Sequence, residues 1–425
     1  TSLSNTFRGV TMVDANANPE KRLFISLITR DIGLPDAIID LTDNSVNAAM
    51  KSLKNTFSSA EDFHRLFVRK DIHPAVTIKI TFSDERVIVT DDAAGIDFES
   101  AKDEVFRFGH SADYRGSRDR LSVYGIGMKR ALFKIGNKIS ITSDHKSGGF
   151  SLDLDVQEWA EEEQIKWVFP ISKRPPKSTT GTTIEIKELN DEIKKRISDG
   201  RFKDDLIEKL SKVYSYFLGK IVNISVNSTN VKGTQFEIGS NFSHDKFKSN
   251  GVDCTITAGI ATASGDKFIA SAAGWFVFCN FRTVLYGDKT SLTGWGSTLP
   301  LFQPKHRPFL GLVVFTSSDP ESLPWTTTKG SINEDNLIWQ QAKTRMVAVA
   351  NPIFRFLDSR YSDKGTDIDP AQIAELSGKA ENIFDTTVSK QRTFTAAANK
   401  PSKDVKVQYF AKISEVEKIK KHFSR

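Results

Sequence analysis

At 425 residues, 39% of them hydrophobic and 26% charged, the chain has the make-up of a globular protein long enough for two or three domains. It has no run of 18 apolar residues and no charged-then-apolar leader, and Cys254 and Cys279 belong to no CxxC or Cys/His group; a membrane span, export, a disulfide framework and a zinc site are therefore not expected, and the cytoplasm is the expected location. The net charge of +6 is uneven: residues 400–425 hold eight Lys or Arg against three acids, which leaves the rest of the chain near neutral.

In chain order, residues 1–23 read as a loop-like segment. The stretch "AIIDLTDNSVNAA" at 37–49 then reads as a helix, with Asp40, Asp43, Asn44 and Asn47 on one continuous stripe and Ile38, Leu41, Val46 and Ala49 opposite. A solvated helix usually shows Lys and Glu, whereas this stripe has short carboxylates and amides, which suit a hard cation. An ordinary surface helix is the alternative. "AVTIKITF", "SDE" and "RVIVTD" follow as strand, turn and strand, a hairpin ending at Asp91, with Gly95 in the turn of "VTDDAAGID", where a ligand ring could approach the backbone closely. After a Gly-, Ser- and Arg-rich loop at 107–124, "VYGIGMKRALFKIG" sets Gly125 and Gly127 before a helix predicted over 128–135. Bare amides at such a helix start attract anions, although a glycine pair there is commonly just a tight turn.

Strands are predicted at 138–143, 150–154 and 182–186, the last entered through Gly181 and Thr182 in "TGTTIEI", giving an α+β layer of helices on one face of an antiparallel sheet. A helix at 204–218 is expected to open a second region with strands "IVNISV", "VDCTITAGIA", "GWFVFCN" and "LGLVVF" and a helix over 335–356. Residues 361–403 read as a polar linker. In the tail, Phe410, Ile413, Val416, Ile419 and Phe423 recur at helical spacing, so it reads as a basic amphipathic helix for a partner helix, nucleic acid or an acidic surface.

The order of these pieces resembles the ATP-binding domain of the GHKL superfamily of gyrase, Hsp90, histidine kinases and MutL. "IIDLTDNSVNAA" is similar to its first motif, "DDAAGI" to its second, "YGIGMKRALFKIG" to the lid motif as found in MORC and MutL proteins, and "GTTIEI" to its last. "GWFVFCNFRTVL", with Asn280 and Arg282 at its turn, and "PWTTTKGSIN" resemble parts of the S5-fold transducer domain of that branch. The resemblance implies a Bergerat-type α/β sandwich over 1–195, an S5-like transducer over 196–360, and a linker with the basic helix over 361–425.

It further implies ATP and Mg²⁺ as ligands. Asn44 would hold the metal and Asp91 would accept from the adenine amino group, with Thr182 nearby and Gly95 and Ile96 lining the ring. The backbone around Gly125, Ile126, Gly127, Met128 and Lys129 would hold the phosphates beneath a lid at 108–124. Asp40 stands where the family has a glutamate base, and Lys329 would neutralise charge on the terminal phosphate, its alternative being a solvated loop lysine. Asn47 and Ala93 also depart from the family pattern, which usually has Asp and Gly. A base one methylene shorter makes hydrolysis slow. The implied function is a slow ATPase that dimerises when ATP-bound and clamps DNA through residues such as Lys305, Arg307, Arg345 and the tail, as MORC and MutL proteins of DNA repair or phage defence do. The competing function is an ATP-sensing interaction module without useful turnover, reporting to a protein partner. A histidine kinase fits poorly, since none of the seven histidines lies on an evident dimerisation helix beside the ATP region.

Overall fold

The polar stripe over 37–49 lies on a longer helix, α2 (Leu34–Lys54), in the computed structural model, which describes residues 19–54, 73–108, 121, 125–162, 166–234, 236–262, 268, 270–360 and 378–395. Its other side is as predicted: Ile38, Leu41, Val46 and Ala49 are fully buried. They join Ile78 and Ile80 of β1 (Val76–Phe82) and Val87 and Val89 of β2 (Arg86–Asp91) in the core. Alternation along both strands sends these residues to one face, and a tight turn in which the Ser83 amide donates to the Arg86 carbonyl makes them a hairpin.

Ahead of α2 lies a helix, α1 (Lys21–Thr29), whose first three residues fall in the segment read as loop-like. Lys21, at its start, is wholly buried, with its ammonium donating to the Trp159 carbonyl at 2.9 Å and lying over the Trp159 ring. A lysine used in this way hides an apolar face from a periodicity reading. Residues 1–18 lie outside the described residues.

The next helix, α3 (Gly127–Ile135), leads directly into β3 (Gly136–Asp144), which continues through β4 (Phe150–Asp155), α4 (Val156–Glu161), β5 (Ile171–Lys173) and β6 (Gly181–Leu189). Phe133 of α3 stacks on Trp159 of α4 at 5.7 Å, and Trp167 and Phe169 meet Trp159 edge-on, so an aromatic cluster seats α3. Two helices, α5 (Asp191–Ile197) and α6 (Phe202–Val213), come before β7 (Val222–Val226) and β8 (Thr229–Asn230); α6 stops short of the predicted 218.

The first sheet has eight strands in the order β5-β4-β3-β6-β2-β1-β7-β8, antiparallel throughout except that β7 runs parallel to β1. The run "IVNISV" was expected in the second region. It is instead stitched to the first sheet, because the helical crossover α5–α6 is long enough to return a strand in parallel beside β1. The division between the sheets thus falls after Asn230.

The second sheet holds β9 (Glu237–Ser249), β10 (Val252–Ala261), β11 (Gly274–Cys279), β12 (Arg282–Asp288), β13 (Phe309–Ser317) and β14 (Ala380–Asn382), ordered β12-β11-β13-β10-β9-β14. Helix α7 (Leu337–Arg360) covers it with Trp339, Met346, Ala350, Ile353 and Leu357, all buried. The expected linker is partly built into this region. Strand β14 pairs with β9, and Ile383, Phe384 and Phe394 are buried, because three apolar side chains in a polar stretch suffice to dock it. The basic tail lies outside the described residues. Among the described residues no helix is long and apolar enough to cross a membrane.

Candidate nucleotide site

The polar face of α2 looks inward. Asp40 and Asp43 are 4% and 1% exposed, and Asn44 and Asn47 are half-buried. Buried carboxylates need counter-charge. The metal expected to supply it is not the first partner, because the chain provides its own cations. Asp40 accepts through Oδ2 from Arg130 Nε at 3.1 Å and Nη2 at 2.5 Å. Asp43 accepts from Lys329 Nζ at 2.7 Å, Arg282 Nε at 3.1 Å and the Tyr214 hydroxyl at 2.8 Å. Burial alone would raise the Asp43 carboxyl, but the charges of Arg282 and Lys329 outweigh it and hold the carboxyl below the usual carboxylate range. The same burial, with Asp43 beside it, pushes the Tyr214 phenol well up, so Tyr214 stays a neutral donor. These five charged side chains, two acids against three bases, leave their own cluster with one positive charge in excess.

Asp91 ends β2 and is fixed at both oxygens: Ser45 donates to Oδ2 at 2.6 Å and the Ala93 amide to Oδ1 at 3.0 Å. Burial raises its pKa, and the hydrogen bonds from Ser45 and Ala93 offset that only in part. Strand register sets Asp91 opposite Thr182 of β6, and Thr182 opposite Ser143 of β3. The two hydroxyls are 2.9 Å apart, and Ser143 Oγ accepts from the Ile96 amide at 2.8 Å. A polar row thus crosses three strands beneath α2. Gly95 sits at φ +71°, and a Cβ there would stand 2.0 Å from the Asp144 carbonyl, so the chain's own backbone already requires a glycine.

Gly125, at φ +60°, turns the chain into α3, whose N-cap Ile126 offers no side-chain cap. Among the described residues nothing caps the first amides of α3, which suits them to an anion. Gly127 stands against Asp40: a Cβ there would lie 3.5 Å from its Cγ and Oδ1. Met128 packs half-buried against the core. Lys129 turns its side chain away from the open amides, donating to the carbonyls of Val105 at 3.0 Å and Arg107 at 2.6 Å, and burial pulls its pKa down to about 8. Of the lid expected at 108–124, only Phe108 and Leu121 bear description beside the site; the Leu121 amide donates to Asn47 Oδ1 at 2.7 Å.

The structure thus brings Asp40, Asn44 and Asp91 to the inner face of α2, Thr182 and Ile96 to the row beside Asp91, and Gly125, Ile126 and Gly127 to the start of α3. Lys329 reaches α2 through Asp43. Reasoning from the sequence missed Arg130, Tyr214, Ser45 and Ser143. Arg130 carried a signal, being one turn after Gly127; Tyr214 and Ser143 carried none. Among the described residues no three His, Cys, Asp or Glu side chains gather to hold a metal. Asn44 nonetheless suits magnesium held mainly by phosphate, since its Nδ2 donates to the Asp40 carbonyl at 3.2 Å and its amide oxygen is left as an acceptor.

Residues 32–190 match the family of histidine kinase-, DNA gyrase B-, and HSP90-like ATPases, a span that runs from just before α2 through β6 and omits Arg282 and Lys329. A comparison with curated proteins finds no match. Over that span the first region is similar to the ATPase domains of the GHKL type.

Proposed function

We propose that the protein binds Mg-ATP between α2, the Asp91 row and the start of α3, hydrolyses it slowly, and passes its occupancy to the second sheet through Asp43. The observation that carries this reading is the net positive charge of the cluster of Asp40, Asp43, Arg130, Arg282 and Lys329, next to helix amides without a side-chain cap, an arrangement that attracts a polyanion. Asp91 and Thr182 would take the adenine edge. Asn44 would hold magnesium, which when bound neutralises phosphate charge. Asp40 would take the proton of the attacking water, and Lys329, exchanging Asp43 for phosphate, would balance charge growing on the terminal group. A dimeric, MORC- or MutL-like clamp on DNA extends the reading. Against the DNA part, Lys305 already pairs with Asp358 at 2.6 Å and Arg345 with Asp245 at 2.9 Å.

An ATP sensor without turnover is the second reading, favoured by the hold that Arg130 has on Asp40. Phosphate release by the wild type, Asp40→Ala and Asp40→Glu decides between them: turnover that drops on the order of a hundredfold in the Ala variant supports the ATPase, and no wild-type turnover above that variant leaves only the sensor. Mass in solution with ADP and with a non-hydrolysable ATP analogue tests the clamp, which predicts doubling with the analogue alone.

A further inference from the structure

Asp40 is a buried carboxylate whose two oxygens are treated differently. Oδ2 takes both nitrogens of Arg130, while Oδ1 has no hydrogen-bond partner among the described residues and stands beside the missing Cβ of Gly127. Gripping one oxygen stops rotation about Cβ–Cγ and so fixes where the other points. Arg130 is also the third residue after Gly127, and its amide closes the first turn of α3 by donating to the Ile126 carbonyl at 2.9 Å. The arm that grips Asp40 and the amides that would face phosphate therefore belong to one rigid turn. The guanidinium in addition gives this buried acid the counter-charge it needs beside a polyanion.

We infer that Arg130 positions Asp40, turning Oδ1 toward the open start of α3, so that a base one methylene shorter than glutamate is held in register with the phosphate site by α3 itself. This rests on the nucleotide reading above. Arg130 is a positioning residue, acting through Asp40.

The test uses the full chain: steady-state phosphate release, and calorimetric binding of a non-hydrolysable ATP analogue, for the wild type, Arg130→Gln, Arg130→Lys, Asp40→Asn and the Asp40→Asn/Arg130→Gln double variant. Arg130→Gln is expected to lower kcat on the order of ten- to a hundredfold while KM and the analogue's Kd change by less than about threefold. Arg130→Lys recovers part of kcat, and adding Arg130→Gln to Asp40→Asn lowers it no further. The inference is overturned by an unchanged or raised kcat in Arg130→Gln, by an equal loss in the Asp40→Asn background, or by a rise in KM and Kd with kcat kept, which puts Arg130 on phosphate itself. Should Arg130→Gln fail to fold, Arg130→Lys, alone and combined with Asp40→Asn, is read by the same criteria. Wild-type binding without turnover removes Arg130's role and leaves nucleotide binding standing; no binding at all removes both.

Discussion

Gly127 separates two explanations for a glycine at a helix start. Its φ lies outside the left-handed region, and a Cβ would meet Asp40 only at ordinary van der Waals distance, so nothing within the chain demands a glycine there. A methyl group would instead fill the space between the amides of α3 and Asp40. Gly127→Ala should therefore keep its melting temperature within about 2 °C, helped by the better helix propensity of alanine. Its affinity for an ATP analogue, measured by calorimetry, should fall at least tenfold; unchanged affinity would mean that phosphate does not come close to this turn. Gly95 and Gly125 offer no such test, since both occupy positive φ and would be strained by any side chain. At this scale the sequence was legible as far as local spacing reaches. Helical geometry alone places Asp40, Asp43 and Asn44 on one stripe. The cations that answer them stand 90, 239 and 286 positions away, and no periodicity reports a partner at that separation.

Element α3 is tied down on two sides by consecutive residues, Arg130 to α2 and Lys129 to the carbonyls of Val105 and Arg107. The second tie titrates. With its pKa drawn to about 8 by burial, folded Lys129 gives up its proton before the unfolded chain does, whose lysine titrates near 10.5. Below pH 8 the cost of burying the charge is carried in full, and between the two values the unfolded state binds more protons, so stability rises with pH there. Urea unfolding of the wild type and Lys129→Met should show their difference shifting in favour of the wild type by on the order of 1–2 kcal/mol from pH 8 to 10. A flat difference would mean that the amine stays charged. Elements with clean alternation or a glycine stop, such as β1, β2, β10 and α3, were legible. Strand β9, "EIGSNFSHDKFKS", was not: it contains Ser, Asn, His, Asp and Lys, and becomes a strand because β10 and β14 pair along it. Strand β7 was recognised as a strand but given to the wrong sheet, since sequence alternation says nothing about which edge a strand joins.

Across the whole molecule, Asp43 links the two regions electrostatically. It lies on α2, over the first sheet, yet its partner Arg282 opens β12 of the second sheet and Lys329 stands in the loop between β13 and α7. Lys329 is held in the left-handed region at φ +54°, a conformation a lysine keeps only where its surroundings insist, and its carbonyl accepts from Arg282 Nη1 at 2.8 Å. Removing the shared acid leaves two buried cations facing each other. Asp43→Asn should cost about 3–5 kcal/mol in denaturant unfolding, and saturating triphosphate should restore more stability to the variant than to the wild type, because phosphate supplies the missing negative charge. A loss within about 0.5 kcal/mol would mean that the cluster carries no such burden. The sequence resemblance named Lys329 but aimed it at phosphate; the acid that holds it was visible only as one more member of a helical stripe.

The late return of β7 to the first sheet has a mechanical side. Among the described strands the chain crosses from one sheet to the other once, over the six positions between β8 and β9. Its ends are pinned, Val231 by its amide to the Ile224 carbonyl and Phe236 by its carbonyl to the Ile383 amide. A leash of that length spans at most about 20–25 Å when taut, so the two bodies have little freedom to slide or part. The same two bodies share an aromatic seam, Tyr216 of the first against Phe278, Phe281 and Phe384 of the second, so the leash and the seam together keep the pair in one register.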